Sequence, residues 1–195
     1  MEMTTLSFEN MHNHGELFAN LFRARRETFI VEHKWNLPQA LGMEYDQYDT
    51  PASRWVAVHE FGQVLAGIRL TPTTARCGIY TYMIRDAQRG LLEDIPTNLL
   101  DQEAPVADHI WEASRIFVAR DAPHEKRREI HGRLLGEMTR AARANGATWL
   151  LCLIPGIWPR WLKPYGIKGI PGGPMMDIEG SRNQCVWLDL TSNLH

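Results

Sequence analysis

The order of elements along this 195-residue chain predicts an α/β fold, a single domain spanning residues 1–195 in which helices flank a mixed central β-sheet. Three observations predict it. Apolar residues recur at helical spacing in two separate stretches, residues 16–31 and 127–145. Strand-like segments lie between and after those stretches, and no linker, internal repeat or low-complexity run divides the chain.

Taken in order, Leu17, Leu21, Phe22 and Phe29 form the apolar stripe of the first helix. Residues 36–51, rich in turn formers and acids, read as a long loop. Residues 54–59 and 64–70 read as two strands joined across Phe61-Gly62, which predicts a β-hairpin. Thr71-Pro-Thr-Thr then breaks the sheet, and Pro96 and Pro105 limit any helix in the mixed stretch 80–107.

Residues 109–119 are the next strand, with Trp111, Ala113, Arg115 and Phe117 on one face and Glu112, Ser114 and Ile116 on the other. In a regular strand Glu112 and Arg115 therefore diverge, and a β-bulge would re-aim one of them. Ile130, Leu134, Leu135, Met138 and Ala141 mark the second helix, which Asn145-Gly146 stops. The nearly continuous apolar run 147–154 predicts a buried strand. A short helix over 158–165, interrupted at Pro164, and a strand over 185–190 complete the order.

Composition excludes more than it assigns. The chain is 44% apolar and 23% charged with a formal charge of -2, so no bulk electrostatic pull toward nucleic acid or an anionic membrane exists. No apolar run reaches transmembrane length and the start lacks the blocks of a signal peptide, which predicts a cytoplasmic setting. Cys77, Cys152 and Cys185 are odd in number and far apart, so neither a disulfide framework nor a zinc site is expected. His12 and His14 read as a solvated pair, and no metal is expected.

One set of residues stands out: Arg25-x3-Phe29-x5-Trp35-x8-Glu44-x-Asp46-x2-Asp49, then Arg69, then Trp111-Glu112-x-Ser114-Arg115. Arg25 falls on the apolar stripe of the first helix. An unpaired charge buried there costs several kcal/mol, so a carboxylate must meet it. Glu44, Asp46, Asp49 and Glu112 are the candidate partners. The bland alternative, an arginine snorkelling to water, leaves the clustered acids unexplained.

This set resembles the acyl-homoserine lactone synthases, the LuxI-type autoinducer synthases of bacterial quorum sensing. The correspondence includes Arg25, Phe29, Trp35, Glu44, Asp46, Asp49, the segment Gly67-Ile-Arg-Leu-Thr-Pro-Thr73 and Trp111-Glu-Ala-Ser-Arg-Ile116. The resemblance implies a fold similar to the GCN5-related N-acetyltransferases. It also implies a reaction: S-adenosylmethionine is N-acylated from an acyl thioester of acyl carrier protein or coenzyme A, and lactone closure expels methylthioadenosine. Cofactor, metal, nucleic acid and membrane are all unneeded in that chemistry.

On this resemblance Glu112 is the expected base, because an ammonium must lose a proton before its nitrogen attacks a carbonyl carbon. Arg115, Asp46 and Ser114 join it as expected catalytic residues. Arg25, Phe29, Trp35, Glu44, Asp49, Arg69 and Phe117 are the expected substrate-binding set, the acids and aromatic faces suiting a sulfonium and ammonium ligand. Trp111 reads as core. Lys126, Arg127, Arg128 and Arg133 form a basic helix start that could receive an acidic carrier protein or coenzyme A phosphates, or could simply be solvated beside Glu125 and Glu129.

The chain departs from the family pattern in three places. The segment between Arg69 and Glu112 is longer than usual, Ala87 replaces a common aromatic, and Ile154-Pro155 stands where members preferring 3-oxo acyl chains carry Thr-Ser. An isoleucine offers no hydroxyl to a 3-oxo group and adds bulk, so Ile154 predicts an acyl donor lacking that group, such as a short, branched or aromatic one. Two other functions compete: an N-acetyltransferase for another amine, which leaves the charged set without purpose, and a silent relative that senses acyl thioesters or lactones.

Overall fold

The computed structural model describes residues 1–191. In chain order its elements are β1 (Glu2–Leu6), α1 (Leu17–Arg25), β2 (Gln39–Ala40), β3 (Met43–Glu44), β4 (Arg54–Glu60), β5 (Gln63–Pro72) and α2 (Met83–Gln88). They continue with β6 (Ile110–Val118), α3 (Arg127–Ala144), β7 (Trp149–Pro155), α4 (Trp158–Leu162), β8 (Lys168–Pro171), β9 (Met176–Ile178) and β10 (Ser181–Asp189). This is the expected class, an α/β fold with a mixed sheet: β4 and β5 pair antiparallel, β6 and β7 parallel. The chain forms two compact units, Met1–Leu70 with Arg115–Ala141, and Thr71–Ser114 with the residues from Ala142 onward.

In the first unit the strands run in the order β1-β4-β5-β6. The hairpin between β4 and β5 turns at Phe61 and Gly62, with φ of 50° and 83°. Two successive left-handed residues give a two-residue connection the twist that antiparallel strands require, and glycine adopts one of them without steric cost. Against these strands α1 buries Leu17, Leu21 and Phe22 in a core with Leu6, Phe29, Trp55, Ala57, Val64 and Phe117. Gly67 makes the close packing possible. A Cβ there would lie 2.6 Å from Leu21 Cδ1 and 2.7 Å from Phe117 Cε1.

Three expectations are corrected in this unit. The first helix does not stay α-helical to residue 31, because Arg26–Glu32 widens into a π-helix. The segment Thr28-Phe29-Ile30-Val31 holds three β-branched residues, which crowd the preceding α turn, and π segments collect at functional sites. The acid-bearing loop contains a small hairpin, β2 paired with β3, which puts Glu44 at a strand end. The edge strand β1, paired antiparallel to β4, was not expected at all.

In the second unit β6, β7, β10 and β8 are neighbours in that order, and β9 pairs with β10. Pairing of β6 with β7 runs from Ile110–Trp149 to Ala113–Cys152 and stops there, although β7 continues to Pro155. The Asn145-Gly146 stop of α3 acts as expected: Gly146 is left-handed with φ of 85°, and the Ala147 N–H returns to the Ala142 carbonyl at 3.0 Å. Thr71 and Pro72 extend β5 instead of breaking it, and the final strand is longer than expected, with β8 and β9 beside it.

Candidate active site

In the first unit the spaced charges meet. Arg25 projects from the buried face of α1, and its Nε donates to Glu44 Oε2 at 2.6 Å. Its Nη1 and Nη2 clasp Asp49 Oδ1 and Oδ2 at 2.7 and 2.9 Å, the bidentate fork that guanidinium and carboxylate planes favour. Arg69 on β5 donates to Asp46 Oδ1 at 2.5 Å and lies 3.1 Å from Asp49 Oδ1. Arg115 on β6 closes the set, reaching Glu44 Oε1 at 3.2 Å and Asp46 Oδ2 at 2.9 Å.

Three guanidiniums therefore answer three carboxylates, in a cluster where Arg25 is 1% and Glu44 0% exposed. Burial alone pushes the Asp46 carboxyl upward, but Arg69 and then Arg115 outweigh it and hold the group below the usual carboxylate range. Asp49 likewise resists burial through Arg69 and Arg25 and stays well below that range. Burial disfavours the charge on Arg25, yet Asp49 and Glu44 more than restore it. Asp46 and Asp49 are fixed anions, and all three carboxylates are already matched by arginines, so the cluster does not present free negative charge to a cationic ligand.

Arg115 sits at φ of 54°, a left-handed residue within a strand. The pleat is interrupted there, as a re-aimed Arg115 requires. Its Nη1 takes no hydrogen-bond partner among the described residues, and its Cζ lies 5.6 Å from the centroid of Phe29. Phe29 stacks on Trp35 at 5.2 Å and meets Phe117 edge-on at 5.9 Å, so the three aromatics expected around the ligand are together.

Two aromatic members escaped the sequence reading. The Trp55 indole N–H donates to Asp49 Oδ1 at 3.0 Å, and the Tyr48 ring lies under Arg69 at 5.6 Å. The signal for Trp55 was partial: it lies on the hairpin strand whose partner carries Arg69, but the two are direct neighbours across the ladder only through the register shift between Val58 and His59. The basic helix start is also more committed than expected. Arg127 donates to the carbonyls of Ala119 and Arg120, both at 2.9 Å, and Arg133 to Glu129 at 2.8 Å. Lys126 stands 3.9 Å from Glu60, and Arg128 is exposed.

The second unit holds Glu112, Ser114 and Ile154. Glu112 is 0% exposed, and its oxygens accept the backbone N–H groups of Ile84 at 2.7 Å and Met83 at 3.4 Å. Burial, and then the nearby Glu112, push up the thiols of Cys152 and Cys185, the latter to about 12, and raise the Tyr82 phenol. All three groups are thus neutral at physiological pH. Ser114 is 5% exposed. Ile154 is 6% exposed and pairs across the ladder with Gln184. Trp111 is buried, as the core reading expected. Among the described residues no cluster of three or more histidines, cysteines and acids is placed to hold a metal ion.

Comparison with known proteins shows which family the chain resembles. The sequence profile of the family described as Autoinducer synthase matches residues 8–170. An acyl-homoserine-lactone synthase of Acinetobacter nosocomialis is 30% identical over 182 residues, covering 89% of this chain and 91% of the relative. An isovaleryl-homoserine lactone synthase of Bradyrhizobium diazoefficiens is 30% identical over 117 residues, 60% of this chain and 48% of that protein. Among solved structures, a coenzyme A-dependent acyl-homoserine lactone synthase, BjaI, with S-adenosylmethionine and isopentyl-coenzyme A superposes with a TM-score of 0.75 at 21% identity, over 96% of this chain and 82% of that one. An acyl-coenzyme A N-acyltransferase from Pseudomonas aeruginosa shares the fold at a TM-score of 0.60 and 14% identity, over 95% and 97% of the two chains. The chain belongs to the autoinducer synthase family, acyltransferases that make acyl-homoserine lactones for quorum sensing.

Proposed function

We propose that this chain N-acylates S-adenosylmethionine from an acyl thioester of coenzyme A or acyl carrier protein, with Glu112 as the base. The observation that carries the assignment is a wholly buried carboxylate held by two backbone N–H groups and faced by groups that are neutral at physiological pH. Glu112 takes a proton from the substrate ammonium, directly or through a water, and the freed nitrogen attacks the thioester carbonyl. The carbon–sulfur bond of the thioester breaks and the thiol leaves. The substrate carboxylate then displaces the sulfonium at its γ-carbon, which closes the lactone and releases methylthioadenosine.

The paired cluster supports positioning roles. Arg115, with Nη1 unspent, holds the substrate carboxylate, and Asp46, fixed as an anion, holds Arg115 and Arg69 in place. Arg25, Glu44 and Asp49 brace the same array. Phe29, Trp35 and Phe117 supply the aromatic surface that favours a sulfonium cation. Ser114 hydrogen-bonds the reacting groups, and Lys126 and Arg128 attract the anionic acyl carrier or coenzyme. Residues 1–195 serve as one synthase domain, a reading that the family match over residues 8–170 supports, and the enzyme works in the cytoplasm without a cofactor.

Ile154 sets the acyl group. A buried isoleucine favours a donor without a 3-oxo group, and similarity to an isovaleryl-homoserine lactone synthase supports a short branched one. Two measurements test the assignment. Glu112→Gln lowers methylthioadenosine release by about 100-fold or more, the loss expected of a positioned base. Mass spectrometry of extracts from expressing cells shows a lactone without a 3-oxo group. A glutamine variant with wild-type turnover removes Glu112 from the chemistry, and a dominant 3-oxo product removes the role of Ile154.

A further inference from the structure

Asp86 is a buried carboxylate, 0% exposed, to which the chemistry above gives no task. It lies on α2, and its oxygens accept the Thr81 N–H at 2.8 Å, the Thr81 hydroxyl at 2.7 Å and Arg89 Nη1 at 3.0 Å. Burying a carboxylate is costly unless donors surround it, and three do. What those bonds fix is the residue just before Tyr82, where the chain enters α2.

Tyr82 is extended, with φ of -133° and ψ of 157°, and its hydroxyl donates to the Pro105 carbonyl at 2.6 Å. The turn pinned at Thr81 and Tyr82 leads directly into Met83 and Ile84. Their N–H groups have no partner within the helix, as in any first helical turn, and they go to Glu112 instead. A chain of direct contacts thus runs from Asp86 through the turn to Glu112.

We infer that Asp86 is a positioning residue for Glu112: by locking the turn at Thr81, it holds the Met83 and Ile84 N–H groups where they orient the Glu112 carboxyl group. The inference rests on the reading of Glu112 as the base. The titratable groups around Glu112 are Tyr82 from the turn, Cys152 from β7 and Cys185 from β10, and Arg85 and Asp86 act on Tyr82. Hydrogen bonds to a carboxylate favour its charged form, so a slackened turn raises the pKa of the base and loosens its aim.

The test is steady-state turnover by the full chain with S-adenosylmethionine and an acyl thioester that the wild type accepts, measured across pH. Asp86→Ala is expected to lower kcat by ~10-fold with KM held within ~2-fold, and to move the acid limb of kcat/KM upward by ~0.5 pH unit or more. Asp86→Asn restores most of the rate, because its amide can still accept from the Thr81 N–H and donate to the Thr81 hydroxyl. If Asp86→Ala fails to fold, Thr81→Val, which loses one of the three bonds, shows the same changes in smaller measure.

A folded Asp86→Ala enzyme with an unmoved pH profile overturns the inference, as does an Asp86→Asn enzyme no better than Asp86→Ala. In the fallback, so does a Thr81→Val enzyme that matches the wild type. Glu112→Gln, run in parallel, isolates the other failure: wild-type turnover there refutes the base assignment whatever Asp86 does.

Discussion

Arg25 shows how a single side chain organises its surroundings. It is 1% exposed and bonded to two carboxylates, so truncation strands Glu44 and Asp49 in a buried site with less compensating charge. Removing one partner of a buried ion pair costs about 3–5 kcal/mol, far more than deleting a surface pair. Arg25→Ala should lower the urea midpoint by that amount of free energy at an unchanged slope with denaturant. A loss under ~1 kcal/mol would mean that water already screens the cluster. The partnership was legible in the sequence, because an arginine on an apolar helical stripe demands acids and three lie close downstream. Asp86 and Trp55 were not legible in their roles: a lone acid on a short helix and a tryptophan on a strand have ordinary explanations until their partners are known.

Local pattern predicts an element well when its own residues decide its shape, and poorly when its neighbours do. The β4–β5 hairpin followed its two apolar runs and its Phe61-Gly62 turn, and α3 stopped where Asn145-Gly146 ends it. The π-helical stretch 26–32 escaped because apolar spacing cannot distinguish a widened turn from an α turn over so few residues. The strand β1 escaped because an edge strand needs only one partner and carries little alternation of its own. Gly67 belongs to this scale, since α1 and β6 both approach the β5 backbone through the space its missing side chain leaves. Gly67→Ala places a methyl within 3 Å of Leu21 and Phe117, and overpacking of that kind costs about 1–3 kcal/mol. Thermal or urea unfolding checks it. A neutral result would show that the Leu21 side chain rotates away freely.

For the whole molecule, the buried titratable groups predict a two-stage loss of stability in acid. His59, 7% exposed, and His131 are both held below the usual histidine pKa by burial, so the folded state keeps them neutral while the unfolded chain takes up protons. A depressed folded pKa contributes stability that is complete above the unfolded value and declines as pH falls below it. The histidine contribution therefore begins to fade below about pH 6.5. Asp46 and Asp49 follow the same sign at lower pH: held ionised by Arg69, Arg115 and Arg25, they cost stability once the pH falls below the unfolded aspartate value of about 3.9. Urea unfolding at stepped pH values should show a shallow decline starting near neutrality and a steeper one below about pH 4. Asp49→Asn should flatten the steep stage while lowering stability at neutral pH, because it removes the anion that Arg25 and Arg69 share. An acid limb as steep in Asp49→Asn as in the wild type would place the acid-sensitive charge elsewhere in the fold.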